Sequence, residues 1–550
     1  MSRFTFRGDD PANPAEPFWP QQANLPREVI LKPYPNVPRN TLDAAILAEM
    51  HKSQIVGISA AFVEGSRVSW ANGYGWADLA AGRSARADTI YRIASISKTI
   101  TATALMQLWE QGRFRLDDDI GGYLGYPVRN PHYPLVKITF HMLLTHTSSI
   151  LDTGGYAAAL SATSRPPLRE ILVPGGAAYS SATWDDHPPG TQFNYSNFSV
   201  GIIGALVEVL SGEPFDHYAR EHIFRPLGMD ASYAAADLVS FQKLAVLYRA
   251  SGGGRFTPSF DYYPEGERPP RRVSALPLGN YYIGPAGAVR ASVLDLAKFM
   301  IAHMNGGVYN GVRILRRATV DLMHQIQWYG FGLEGFFRQM GLIFHITNAL
   351  AGRRLTGHYG DAYGLLSAMN FDRDEFRGVI FITNGGYYQF VESGFSNIEQ
   401  SVINHIYARL AVPPKPLPLV ITAVPGDSKL MAGKRQVFYQ VAPDAHAGDL
   451  FTPAVTLADA LEAAIDFDRE SNTMTLVKSG IVLTARPGDR FLKAGDERID
   501  LSIPVYSKAG YIMLPLIKVL KAFGSVVTCH PTGNIAATLM PGDRGVYPWS

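Results

Sequence analysis

Ser95 and Lys98 stand three positions apart in the stretch Tyr91-Arg92-Ile93-Ala94-Ser95-Ile96-Ser97-Lys98. If Ser95 opens a helix, that spacing puts both side chains on one face, one turn from each other. A serine hydroxyl is a poor nucleophile until a neighbouring base takes its proton, and a lysine held beside it can take it or help. The first turn of a helix also presents free backbone N–H groups where an oxyanion would sit. The spacing alone is a cheap signal, since a helix cap followed by a solvated lysine looks the same. Ser240 and Lys243 repeat it with no supporting context. Two later stretches carry more chemistry. Tyr195 and Asn197 follow a Pro-Gly turn and precede an apolar helix over 200–210; alone they read as a packed ring and a cap. Gly357-His358-Tyr359-Gly360-Asp361 leads into strands. His146 is either a catalytic base or a buried histidine satisfied by local hydrogen bonds.

The elements that must position these residues follow from periodicity. Ile100, Ala104, Leu105, Leu108 and Trp109 form an apolar helical face that ends at Gly112. A helix is predicted over 40–52, and a hairpin over 57–63 and 68–76, placing a sheet beside Ser95. Thr139 caps a short helix. Residues 152–188 are loop-rich, long enough to wall a cleft. A helix over 292–304, strands over 329–333, 363–370 and 378–384, and a closing helix over 395–410 complete this part.

The chain has 550 residues, 47% hydrophobic and 18% charged, enough for a large core and more than one domain. A net charge of +2 suggests no nucleic-acid partner. The one cysteine, Cys529, excludes an intrachain disulfide. It alternates with strand neighbours and is expected to be buried packing. No apolar run reaches the ~20 residues of a membrane helix. The first eight residues lack the apolar core of a signal peptide, which predicts a cytoplasmic protein, or an exported one whose signal is missing from this sequence. There is no G-x-S-x-G elbow, HExxH or dinucleotide glycine motif, so lipase-type, zinc and nicotinamide chemistry lack support.

The ordered set S-x-x-K, Y-x-N and H-x-G resembles the serine β-lactamase and penicillin-binding protein family. The flanks at 139–148, 189–198, 221–229 and 329–333 are similar to its class C β-lactamase-like branch, which includes D-aminopeptidases and esterases. The resemblance implies an α/β (α+β) fold: an antiparallel sheet flanked by helices plus an all-helical subdomain, with the cleft between them. It implies Ser95 as the acylated nucleophile, Lys98 as its helix neighbour and Tyr195 as a phenolic base. Asn197 would hold substrate. His358 takes the place of the lysine in the family's K-T-G strand, with Tyr359 and Gly360 completing it. The oxyanion donors would be the backbone N–H groups of Ser95 and Asp361. No metal or cofactor is implied.

A phenolate at neutral pH needs cations close by, and Lys98 and a protonated His358 are the candidates. Gly360 would let the strand approach the substrate backbone. Histidine offers a pH-dependent carboxylate anchor where lysine gives a permanent one. Two further departures are Ser149, where the family usually has glycine, and Asp361, where a small neutral residue is usual. A carboxylate there would repel an anionic substrate.

The expected organisation is an N-terminal extension over 1–40, the hydrolase domain over 41–410, a Pro-rich linker over 411–420 and an accessory α+β domain over 421–550. That last part carries an internal echo, helix–strand–turn–strand twice. It resembles the N-terminal module of some copper amine oxidases, without implying copper, because no histidine cluster accompanies it. Its expected role is association, with another copy, a wall polymer or the catalytic domain. The expected function is acyl-serine hydrolysis of small-molecule or peptide amides or esters. A D-amino-acid-containing peptide is favoured, with a carboxylic ester or a non-turning-over penicillin sensor as alternatives.

Overall fold

Apolar runs and caps set the frame around Ser95. In chain order its main elements are α1 (Thr41–Lys52), β1 (Gly57–Glu64), β2 (Arg67–Asp78), α2 (Ser97–Glu110), α3 (Asn197–Ser211), α4 (Val293–Met304), β3 (Arg353–Ala362), β4 (Leu365–Asp372), β5 (Arg377–Thr383) and α5 (Asn397–Leu410). The computed structural model describes residues 28–162, 165–261, 276–332, 336–411, 419–446, 448–529 and 534–539. Most of the expected N-terminal extension (1–27) and of the Pro-rich linker (412–418) lies outside the described residues.

The chain divides into two compact units, Met1–Arg317 with Thr356–Ala411, and Ala318–Leu355 with Val412–Ser550. In the first unit the strands run β3-β4-β5-β1-β2, all antiparallel, with Arg83–Ser84 beyond β2. The pairing of β5 with β1 joins the two ends of this unit's sequence, Val379 opposite Phe62 and Ile382 opposite Ser59. β1 is apolar and buried along nearly its whole length. Helices α4 and α5 cover the sheet, and α1 packs on α5. The caps are those the sequence announces. Asn40 accepts from the Asp43 N–H, Ser292 from Asp295, and Ser396 with Glu399 forms a reciprocal capping box on α5. Thr139 caps Phe140–Leu144 as predicted.

A helical layer forms around α3, which packs against α2 and three short helices, Ile120–Leu124, Phe140–Leu144 and Phe215–Ala219. Two glycines on α3 admit a close neighbour. A Cβ on Gly201 would stand 1.9 Å from the Tyr282 carbonyl oxygen, and one on Gly204 would stand 2.2 Å from Pro285. The 281–285 segment therefore lies directly on the helix, which fixes the chain just before Ala286.

The second unit gathers residues that the sequence assigns to two separate places. Ile326 and Ile346 belong to the same apolar core as Leu457, Leu461, Leu476 and Leu514. The Gln325 amide accepts from the Phe438 N–H at 2.8 Å, and the Asp321 carboxylate accepts from the Gln436 N–H at 3.2 Å. The internal echo is also larger than its sequence signature. Strand Asp449–Pro453 leads into helix Ala454–Leu461 and hairpin Ala464–Asp468/Thr473–Lys478. Strand Tyr511–Pro515 leads into helix Leu516–Ala522 and hairpin Ser525–Cys529/Ile535–Leu539. The two leading strands pair with each other. Cys529 departs from its expected burial, because it ends a strand at the sheet edge and is exposed.

Asp459 is the electrostatic pivot of this unit. It is 1% exposed and sits 2.9 Å from Arg354 and 3.7 Å from Arg435, both of which are nearly buried. Replacing one member of a buried ion pair strands the others without a countercharge. Asp459→Ala should cost about 3–5 kcal/mol, read as a fall in the urea midpoint of the second unit's transition. An unchanged midpoint would show that the arginines find water instead.

Candidate active site

Ser95 sits in a short 3-10 turn (Ala94–Ile96) that runs directly into α2. Ala94, just before it, holds φ at +44°, the left-handed region that costs an L-residue with a Cβ. Three contacts hold the turn there. Ile93 donates its N–H to Val289 O at 2.9 Å, the Ser367 hydroxyl donates to Ile93 O at 2.9 Å, and Ser97 Oγ accepts from Val289 N at 3.1 Å. Gly360 on β3 is required by the same packing. A Cβ there would stand 2.3 Å from Ser367 Oγ and 2.7 Å from Ile93 O. It thus lets the strand lie against the nucleophile turn.

Lys98 is fully buried one turn on. Its Nζ donates to Ser95 Oγ at 2.9 Å, to Asn197 Oδ1 at 2.7 Å and to the Ala286 carbonyl at 2.7 Å. Burial pushes its amine down to about 7, with the Asp152 carboxylate opposing the shift. Tyr195 lies alongside, its ring centroid 5.0 Å from Lys98 Nζ, 4.6 Å from the His146 ring and 6.2 Å from the His358 ring. Burial pushes its phenol well above its ordinary range, with the hydrogen bond to Ser95 working the other way. The hydroxyl, amine, phenol and imidazole drawn from three distant stretches therefore converge.

Three expectations change in detail. His358 is fully buried, and burial, then the Lys98 charge, pushes it down to about 3. That direction disfavours a charged ring there, as a cation for Tyr195 or as a carboxylate anchor. The Asn197 carboxamide is engaged at both ends, with one Nδ2 hydrogen left over. Its Oδ1 faces Lys98, and its Nδ2 donates to Asp152 Oδ2 at 2.6 Å. Tyr359 turns its buried ring against Phe395, centroids 4.8 Å apart, so its side chain is packing and not a substrate contact. Asp361 is the penultimate residue of β3, opposite Leu366 at the edge of burial, its carboxylate accepting from the Tyr388 hydroxyl at 3.2 Å. His146 is buried and takes the Ser196 N–H on Nδ1 at 3.2 Å. Burial holds it well below its ordinary value, and its place is structural.

Sequence reasoning missed two carboxylates. Asp152 accepts from Asn197 N, Asn197 Nδ2, Phe198 N and Ser196 Oγ. Glu208 on α3 accepts from the N–H groups of Phe215, Gly279, Asn280 and Tyr281, fixing the approach to Ala286. The one available signal was a lone acid closing the His146–Asp152 stretch.

Residues 42–401 match the family model described as Beta-lactamase. The chain belongs to the Beta-lactamase family. A second model, the copper amine oxidase N-terminal domain, matches residues 431–536. Among curated relatives, penicillin-binding protein 4 of Amycolatopsis lactamdurans is 29% identical over 43% of this chain and 57% of its own length. Esterase EstB of Burkholderia gladioli is 29% identical over 36% of this chain and 52% of its own. The match thus spans little more than half the length of each of these two relatives. An octameric penicillin-binding protein homologue from Pyrococcus abyssi shares the fold, with a TM-score of 0.52 and 20% identity over 86% of this chain and 98% of that one. Among the described residues no three His, Cys, Asp or Glu side chains group as metal ligands. No single described helix is long and apolar enough to cross a membrane. The bent pair Asn197–Ser211 and Phe215–Phe224 passes that test together, but its first helix is core.

One departure from the Beta-lactamase family pattern has a physical reading. Ser149 holds φ at +60°, which explains a preference for glycine there. Its hydroxyl is tied to Asn130 Nδ2 at 3.0 Å, a contact glycine lacks.

Proposed function

We propose that this protein is a serine hydrolase that forms an acyl-Ser95 intermediate on amides or esters, with D-amino-acid peptides bearing a free amino group as the favoured substrates. The observation that carries the reading is the set of partners around Lys98 Nζ. Asn197 Oδ1 and the Ala286 carbonyl can only accept. A neutral amine has two hydrogens, so those two acceptors consume both and leave the lone pair facing Ser95 Oγ. An amine poised near pH 7 is suited to take the serine proton as the hydroxyl attacks. Tyr195, kept a neutral phenol by burial, is the group placed to protonate the leaving nitrogen or oxygen. The backbone N–H groups of Ser95 and Asp361 are the proposed oxyanion donors.

Substrate preference follows from charge. With His358 neutral, no fixed cation from that strand position awaits a substrate carboxylate. The Asp361 carboxylate, beside the proposed oxyanion donor, favours a positive group such as an α-ammonium near the scissile carbonyl. An ester is the second reading, supported by the similarity to an esterase. The accessory module's proposed role is association.

A three-substrate comparison tests this. D-alanine p-nitroanilide should turn over faster than its N-acetyl derivative, and nitrocefin should be hydrolysed poorly. Steady p-nitrophenyl acetate hydrolysis with no anilide release would replace the peptidase with the esterase. A single stoichiometric burst on each compound would leave an acylated sensor without turnover.

A further inference from the structure

We propose that Asp152 is a positioning residue for the Ser95–Lys98 pair: it holds the Asn197 carboxamide in one orientation and so aims the reactive face of Lys98 at Ser95. The inference deepens the hydrolase reading and rests on it.

The Asp152 carboxylate is saturated by donors. Oδ2 accepts from Asn197 N at 3.0 Å and Asn197 Nδ2 at 2.6 Å; Oδ1 accepts from Phe198 N at 2.8 Å and Ser196 Oγ at 3.3 Å. Two of these are backbone N–H groups of the first turn of α3, where an anion is favoured. A carboxamide has one donor end and one acceptor end. Because Asp152 takes the Nδ2 end, Oδ1 must face Lys98. Were the amide reversed, Nδ2 would confront the lysine hydrogens and Oδ1 would confront the Asp152 carboxylate, donor against donor and acceptor against acceptor. The lysine would then lose an acceptor and its lone pair would no longer be confined to Ser95.

The charges around the pair support a specific role for this carboxylate. Lys98 is faced by Ser95, Asn197, the Ala286 carbonyl and the Tyr195 ring. The His146 and His358 rings also feel its charge, and both are held neutral. Tyr156 and Tyr195 feel Asp152 and remain protonated phenols. Asp152 therefore supplies the negative charge that holds the lysine amine up against its burial.

The test is Asp152→Asn in the full chain, read by kcat, KM and the pH dependence of kcat/KM. Asp152 acts through Asn197, so kcat should fall roughly 10²-fold, the scale of a misplaced catalytic group, with KM little changed. Removing the negative charge lets the lysine amine fall further, so the acid limb of the profile should move to lower pH. A role confined to capping α3 would lower thermal stability and leave the limb in place, and that result overturns the proposal. If the asparagine variant does not fold, Asp152→Glu carries the test. The charge is kept, so the limb stays while kcat drops at least tenfold; wild-type kcat or a displaced limb counts against the inference. Fluorophosphonate labelling of wild-type Ser95 is run alongside. No adduct at Ser95 would sink the hydrolase reading itself, whereas an adduct with an unaffected Asp152→Asn enzyme sinks only the present proposal.

Discussion

Ser95→Ala will lose essentially all turnover, a fall of roughly 10⁴-fold or more, the scale at which removing a nucleophile leaves only binding and oxyanion stabilisation. The loss should appear equally for ester and anilide, because one acyl-enzyme serves both. The fluorophosphonate mass increase seen on the intact wild-type protein should vanish in the same variant. The chain contains its own control. Ser240 and Lys243 have the same spacing, but Lys243 is drawn 2.9 Å from Asp88 and the Ser240 N–H is held by Asp230. That serine has no base, so Ser240→Ala should keep wild-type rates. Retained turnover in Ser95→Ala, or an adduct that persists there, would remove Ser95 from the chemistry. The effect is expected to be this large because nothing else nearby replaces the oxygen. The next hydroxyl, Ser97, is occupied as an acceptor from Val289 N.

How much of this was legible before coordinates depends on whether a feature is local. The helix after Ser95, the Thr139 cap and the hairpin over 57–78 rest on periodicity and capping within a few residues, and they appear where expected. The family motifs name Ser95, Lys98 and Tyr195 because each stretch keeps its side-chain type. What escaped was set by burial and by the third dimension. A histidine in H-x-G looks titratable in sequence, but at zero exposure burial pushes its ring well down. Asn197 looks in sequence like a ligand for substrate alone, and its tie to Asp152, 45 positions earlier, shows only in the fold. Residues 318–355 look continuous with the hydrolase, yet Ile326, Ile346 and Arg354 spend their contacts on the second unit. Each of these outcomes depends on what lies opposite a residue in space, and neither hydropathy nor spacing encodes that.

Lys98→Met is the second large effect, and it separates two assignments of the base. Methionine fills similar volume without charge or lone pair, so kcat should drop by about 10³-fold, within the range for a positioned acid–base group. The wild-type pH profile supplies the independent reading. If the neutral amine takes the serine proton, the active fraction of enzyme grows as pH rises through the lysine value, which burial places at about 7. kcat/KM should then fall tenfold per unit below that point and level off above it. The opposite limb, activity lost as pH rises through 7, is what a lysinium supporting a Tyr195 phenolate would give. His358 adds no inflection in this window, because burial holds it at about 3. Tyr195→Phe sharpens the distinction. A phenol that only donates to the leaving group can be removed at a cost of roughly 10²-fold in kcat while the acid limb stays near 7. A phenolate base, once removed, takes its limb with it. The geometry favours the first outcome for a simple reason. Two obligate acceptors already claim the amine's hydrogens, while burial keeps the phenol from releasing its own.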